Sequence, residues 1–421
     1  MSKRAKKSKV KQFFNILGPG LITGASDDDP SGIATYSQAG AQFGLSTLWT
    51  ALITFPLMAA IQEMCARIGI VTSQGLTGNI RKNYSRLVLY IMMVFTFPAI
   101  VLNIGADIAG MGAVANLIIP SIPPYFFTFA FTGILLVMII YLPYQKIASW
   151  LKYLCISLLV YLIVPFLSKQ NWGDIFKSTL IPTIVFNKEF ISILVAILGT
   201  TISPYLFFWQ VTMEAEDVKH TNGNLKVDKK VIKKMDLDVI TGMLFSNLVM
   251  FFIMLTAGTV LFKGGVHKID TVEQAAKALE PLAGKISYYL FAAGIIGTGF
   301  LAIPVLSGSL SYIISETFGW DGGLDKKFYE AKPFYLVIII SLIIGLSINF
   351  IGISPIQALI YTAILYGITS PVIIGIILHI SNNKKVMGKF TNGKLSNILG
   401  FITFVLMTVA AFLLIYFQIW G

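Results

Sequence analysis

Charge is what this 421-residue chain has least of: Asp, Glu, Lys and Arg together make up 12% of it, about half the share of a soluble domain. Cysteine and histidine are nearly absent too. The two cysteines, Cys65 and Cys155, both fall in apolar segments, which excludes a disulfide framework or a thiolate metal cluster. The three histidines, His220, His267 and His379, are scattered, and none has the clustered partners that a metal ligand or proton relay requires. What the chain has in excess is apolar surface, at 56% of residues. That balance places it in a membrane.

Apolar runs near the ~20 residues that cross a bilayer recur about eleven times, at 14–40, 46–70, 87–117, 124–143, 147–167, 188–213, 237–262, 286–315, 334–350, 354–380 and 397–420. With the N-terminus in the cytoplasm, 25 of the 32 Lys and Arg fall on the inner side and 7 on the outer. This is the asymmetry of a multi-pass protein of the cell membrane with N inside and C outside. The formal net charge of +12 is then mostly topology, with anionic lipid as its partner rather than nucleic acid. Residues 1–13 are basic, but no small-residue cleavage site follows an uninterrupted apolar core, so they read as a cytoplasmic tail and not a signal peptide.

Spans one to five (14–167) and six to ten (188–380) form two halves, and the span at 397–420 lies outside both. Five is odd, so the second half is inverted relative to the first. The opening span of each half is interrupted about ten residues in, by Ser26-Asp27-Asp28-Asp29-Pro30-Ser31-Gly32 and by Gly199-Thr200-Thr201-Ile202-Ser203-Pro204. Proline removes a donor and pushes its predecessor out of the α region, so both helices unwind at mid-membrane. Paired interruptions in inverted halves point to a transporter's binding site.

An unwound helix offers carbonyl oxygens at the negative end of its dipole. With an aspartate added, this suits a hard cation. Residues on a helix point about 100° apart, so the three aspartates do not all face one ion; Asp29, next to the proline, is the best candidate, ahead of Asp28 and then Asp27. The alternative is that the triplet lines a wet vestibule or caps the second half-helix. Thr200, Thr201 and Ser203 either supply hydroxyls and carbonyls or merely satisfy a proline kink. Asp107, in the middle of span three, is either an ion-pathway acid or a structural hydrogen-bonding group. Glu63 and Arg67 make an ordinary i,i+4 pair. The stretch from Glu214 to Asp236 reads as a solvated linker with a short helix, and Thr271 to Glu280 as an amphipathic outer helix.

Gly18-Pro-Gly-Leu, the Asp29-Pro30 break, Ser203-Pro204 in span six and Glu316-Thr-Phe-Gly-Trp320 together resemble the NRAMP family of divalent-metal transporters. The resemblance implies an all-α integral membrane protein with a LeuT-like inverted repeat of 5+5 helices, helices 1 and 6 broken, and one extra C-terminal helix. The family's Asp-Pro-Gly-Asn appears here as Asp29-Pro30-Ser31-Gly32, with Gly32 in place of the asparagine ligand, and its Ala-x-x-Met-Pro-His as Thr200-Thr-Ile-Ser203-Pro204-Tyr205. Exchanging a thioether for a hydroxyl moves preference from transition metals toward Mg²⁺. The implied metal site is Asp29 and the carbonyls of Ser26 and Thr200, with Asp28, Ser203 and the Gly32 position beside them and several waters retained.

Groups that the resemblance would assign to a proton route are also missing. Tyr205 and Gln210 stand for two histidines, Gly110 for an acid one turn after Asp107, and span nine has no arginine. The pattern is similar to the prokaryotic NRAMP-related magnesium transporters, which implies uncoupled import of Mg²⁺ and also Mn²⁺, with no catalytic residue, no resident cofactor and no obligate protein partner. Two rivals stand: a proton-coupled Mn²⁺/Fe²⁺ importer of the usual NRAMP kind, and an organic-solute symporter on the same fold.

The topology is open to direct labelling. A membrane-impermeant maleimide added to intact cells is expected to modify Asn171→Cys in the outer loop and to reach Lys384→Cys only after permeabilisation; the opposite pattern would invert the assignment.

Overall fold

The computed structural model describes residues 18–143, 146–147, 158, 160–167, 170–220 and 227–420, which hold helices and no strand. The expected basic tail and most of the fifth expected span lie outside the described residues. The helices are α1 (Pro19–Asp27), α2 (Pro30–Phe43), α3 (Trp49–Thr72), α4 (Leu76–Asn83), α5 (Arg86–Ile118), α6 (Pro124–Tyr141), α7 (Val160–Leu167) and α8 (Trp172–Leu180). They continue as α9 (Lys188–Thr201), α10 (Pro204–His220), α11 (Lys229–Ala257), α12 (Val272–Ala276), α13 (Ser287–Phe318), α14 (Lys332–Ile348), α15 (Pro355–Asn382) and α16 (Lys394–Trp420). Among the described residues eight helices are long and apolar enough to cross a membrane, counting α9 with α10 as one, and α14 is a shorter apolar helix. The broken pair α1 and α2 and the described end of the fifth span, α7, account for the rest of the expected eleven.

Both expected interruptions are present, and they share one backbone pattern. After Asp27 the chain leaves the helix at Asp28 (φ −83°, ψ 52°), Asp29 is extended (ψ 173°), and α2 starts on Pro30. After Thr201 it leaves the helix at Ile202 (φ −114°, ψ 59°), and α10 starts on Pro204. In each case the residue before proline is excluded from the α region, while the proline itself is well placed at the first helical position, where its missing N–H costs nothing.

Small residues let the broken helices approach their neighbours backbone to backbone, as interfaces in lipid require. A Cβ on Gly24 of α1 would collide with the Gly242 carbonyl of α11, and one on Gly199 of α9 with the Ala363 carbonyl and Gly367 amide of α15. Both halves of the first span lie along α11, while α10 lies along α3. The six elements α1, α2, α5, α9, α10 and α11 thus meet around the two breaks, and α16 packs outside them on α15, α9 and α3.

Three expectations change in detail. The stretch 214–236 is not chiefly a linker: α10 runs on through the buried Glu214 to His220, and α11 already begins at Lys229, with Asp228 capping it by accepting from the Lys230 and Val231 amides. No helix breaker lies between Pro204 and His220, so the acids extend the span instead of ending it. The outer helix at 271–280 starts with the capping box Thr271–Gln274. It then tightens to a 3-10 turn over Lys277–Leu279 and restarts at Glu280. Pro281 brings no N–H to continue the α-helical ladder. Arg67 pairs with Glu63 at 2.9 Å as expected, and also donates to Asn392 Oδ1 at 2.6 Å, which ties α3 to the loop after α15.

The close approach at Gly199 makes a stability test. Gly199→Ala forces backbone apart and is expected to cost about 1–3 kcal/mol, read as a fall of several degrees in the melting temperature of the detergent-solubilised protein. Gly133→Ala on α6, where nothing lies within 4 Å of the added carbon, is expected to leave it unchanged. Equal melting temperatures for the two variants would contradict the packing.

Candidate metal centre

The first break places its three aspartates in the protein interior, at 0%, 0% and 1% exposure for Asp27, Asp28 and Asp29. No path to either aqueous side reaches them, so each charge has to be met within the protein. Asp29 is met by its own chain. It caps α2, its Oδ1 accepting from the Gly32 amide at 2.7 Å and the Ser31 hydroxyl at 2.6 Å, at the positive end of that half-helix. Its Oδ2 accepts from the Asn103 amide of α5 at 2.8 Å. Capping, one of the two roles open to this residue in the sequence, is therefore realised, yet Oδ2 still has a lone pair to give a cation.

Asp27 and Asp28 turn the other way, toward α11. Ser246 donates to Asp27 Oδ2 at 2.6 Å and lies 3.5 Å from Asp28 Oδ1. Both carboxylates reach one hydroxyl because the helix has ended at Asp28, so the 100° rule no longer separates them. The triplet therefore divides into two plus one. Among the described residues no three His, Cys, Asp or Glu side chains are arranged as a ready-made cage. An ion here would take carbonyls and hydroxyls in addition to carboxylate.

The second break supplies them. Ser203 donates its proton to the Gly199 and Thr200 carbonyls at 3.0 and 2.6 Å, which leaves its oxygen lone pairs and one lone pair of the Thr200 carbonyl. The Ser26 carbonyl accepts from the Tyr205 hydroxyl at 2.9 Å, so Tyr205 ties the end of α1 to the start of α10. Gly32 lies where the breaks cross: a Cβ there would sit 3.3 Å from both the Asp27 carbonyl and the Thr200 hydroxyl. A side chain at this position would press on both breaks and need them to give by a few tenths of an ångström. Thr201 faces away, sharing a 3.2 Å hydrogen bond with Tyr36.

Four buried carboxyl and amide oxygens near the two breaks have no hydrogen-bond partner among the described residues, Asp27 Oδ1, Asp28 Oδ2, Asn103 Oδ1 and Asp107 Oδ1, and the hydroxyl of Tyr366, whose ring packs on Tyr205, is unpartnered as well. All four are acceptors. Leaving one buried acceptor unmet costs about 1–3 kcal/mol, and a cation with its waters is what satisfies several at once. Asp107 joins the centre through Asn103, whose amide nitrogen lies 3.5 Å from Asp107 Oδ2. Gln210, where a proton route would want a histidine, accepts from the Thr23 hydroxyl and donates to Glu214.

Hydrogen bonds to neighbouring elements tie down the far parts of both half-helices. Toward the N-terminal side, α1 has no capping side chain of its own, and Asp238 of α11 accepts from the Gly18 and Gly20 amides at 2.8 Å each. Farther along α2, Gln38 accepts from the Ile269 amide at 2.8 Å, which ties the loop before α12 to that half-helix. Sequence reasoning did not find Asn103 or Ser246. Asn103 had a signal, since it stands one turn before Asp107 on an otherwise apolar helix; Ser246 had none.

Comparison with known proteins agrees with this architecture. The family model described as natural resistance-associated macrophage protein-like matches residues 20–417. The divalent metal cation transporter MntH of Clostridium acetobutylicum is 27% identical over 98% of this chain and 93% of its own length. That of Caldanaerobacter subterraneus subsp. tengcongensis is 24% identical over 98% and 95%. The crystal structure of the Eremococcus coleocola manganese transporter in complex with an aromatic bis-isothiourea substituted compound superposes with a TM-score of 0.75 at 19% identity, over 99% of this chain and 89% of that one. Mhp1, a nucleobase-cation-symport-1 family transporter in a closed conformation, gives 0.53 at 12% identity over 96% and 94%. The two broken helices meeting at a buried aspartate and a family match over nearly the whole chain lead to one conclusion: this protein belongs to the NRAMP family of divalent-metal transporters.

Proposed function

We propose that this chain imports divalent cations, Mg²⁺ first and Mn²⁺ also, by alternating access and without a coupled proton. The observation that carries the proposal is the set of four unpartnered carboxyl and amide oxygens buried near the two breaks. An ion that sheds its water reluctantly meets acceptors through the hydrogens of its own waters, which is how Mg²⁺ is usually held. Direct ligands come from Asp29 Oδ2 and the free lone pairs of the Ser26 and Thr200 carbonyls and of Ser203, with Asp28 beside them. Sulfur is absent from the position of Ser203, and that removes the soft ligand that would favour a transition metal.

Uncoupled transport is supported by what occupies the places of the family's proton carriers. Tyr205 is engaged as a donor to Ser26 and Gln210 is a neutral amide between Thr23 and Glu214. Entry needs no proton, because an inside-negative potential favours each positive charge by about 2.3 kcal/mol per 100 mV. The divalent ion gains twice that. Residues 14–167 and 188–380 act as the two inverted repeats, with 397–420 added, the N-terminus in the cytoplasm and the C-terminus outside. The matching breaks support that division, as does the exchanged packing of α1 on α11 and α10 on α3. Motion of the half-helices off these neighbours would open the centre to one side at a time.

In proteoliposomes Asp29→Ala is expected to abolish Mg²⁺ uptake while the protein remains monodisperse, and Asp28→Ala to weaken it. Undiminished flux in Asp29→Ala would remove the proposal. Calorimetry showing an amino acid bound and neither Mg²⁺ nor Mn²⁺ would favour an organic-solute symporter instead.

A further inference from the structure

Asn103 hydrogen-bonds Asp29 from outside that aspartate's own half-helix. It is fully buried on α5, and its amide can be oriented only one way. The nitrogen faces Asp29 Oδ2 at 2.8 Å and Asp107 Oδ2 at 3.5 Å, because an amide oxygen in that place would face two carboxylates as one acceptor against others. The oxygen Oδ1 is thereby turned to a position with no donor among the described residues.

The consequences for an ion at Asp29 are specific. Oδ1 of Asp29 already accepts two hydrogen bonds, from Ser31 and Gly32. Asn103 takes one lone pair of Oδ2, which narrows what that oxygen keeps for direct coordination. The same planar amide sets a neutral acceptor beside that oxygen. A water on the ion would donate to it.

We propose that Asn103 is a specificity-determining residue of the metal site, narrowing direct coordination by Asp29 through its amide nitrogen and receiving a metal-bound water at its amide oxygen. The chain has glycine at position 32, and the amide of the site comes from α5 instead. Such an arrangement favours an ion that keeps its waters over one that gives them up more readily. Asn103 acts through Asp29 and through water, so it is a positioning residue, and partners of this outer kind typically change metal affinity by 10–100-fold.

The inference rests on the divalent-metal reading, and the test separates the two. Mg²⁺ and Mn²⁺ uptake are measured in proteoliposomes for wild type and Asn103→Leu, which keeps the branching and the number of side-chain heavy atoms, is bulkier, and has no polar atom. The expected result is a KM for Mg²⁺ raised about tenfold or more with the KM for Mn²⁺ changed much less, so that the Mg²⁺-to-Mn²⁺ KM ratio rises. Asn103→Ser, too short to span both partners, is expected to shift the ratio the same way and carries the test if the leucine variant does not fold. Loss of packing alone would lower uptake of both ions together. An unchanged KM ratio in a folded variant overturns the inference while leaving the metal site standing. Wild-type protein that moves neither ion sinks the divalent-metal reading and this inference with it.

Discussion

Everything in this molecule depends on holding an aspartate in the middle of a bilayer. Asp29 is held because a helix has been broken to receive it: the Gly32 amide and the Ser31 hydroxyl at the start of α2 neutralise one oxygen, and Asn103 reaches across from α5 to the other. Pro30 favours the break by disfavouring helical backbone at Asp29, but proline alone does not impose it, since Pro56, Pro98, Pro304 and Pro371 lie within continuous helices. At Asp29 the side-chain cap of α2 completes it. The break in turn frees backbone carbonyls, and non-helical backbone at this depth is tolerated only inside protein. That requirement explains the glycine contacts of α1 with α11 and of α9 with α15, which bury both breaks against neighbouring backbone.

Asp29 and the second break are partners of the same kind. Ser203 stands before Pro204 as Asp29 stands before Pro30, and the residues ahead of them, Asp28 and Ile202, leave the helix with ψ of 52° and 59°. One break carries charge and the other carries none. On the proposed reading a cation between them would be bound mainly through one carboxylate and several neutral oxygens, a donor set that suits a hard ion and leaves it room for water. Tight enclosure by many carboxylates would hold the ion too strongly to release.

Most of the fold was legible because membrane physics writes it in large letters. Hydropathy gave the spans, and proline with its polar neighbours within apolar runs located the breaks to stretches of seven and six residues, inside which the helix is interrupted at 28–29 and 202–203. The smaller polar features were not legible. Asn103 could not be assigned to the site because a single amide on an apolar helix is equally a packing device, and only the approach of α5 to Asp29 decides it. Ser246 acts from 219 positions away in the chain, a distance over which sequence carries no register. The charges of 214–236 suggested a linker, but long acidic and basic side chains extend a helix beyond the bilayer as readily as they end it. The amphipathic pattern at 271–280 was real, and Pro281 cut its helix into shorter turns.

Binding without proton transfer is the boldest element of the proposal, because a buried centre with several carboxylates invites coupling. The most direct measurement follows Mg²⁺ uptake into liposomes at fixed membrane potential, with and without an inward pH gradient, while a lumenal dye reports pH. Uncoupled entry predicts the same uptake rate under both conditions and no acidification that tracks the metal. Uptake that requires the gradient, or lumenal acidification in proportion to the Mg²⁺ or Mn²⁺ entering, would contradict it.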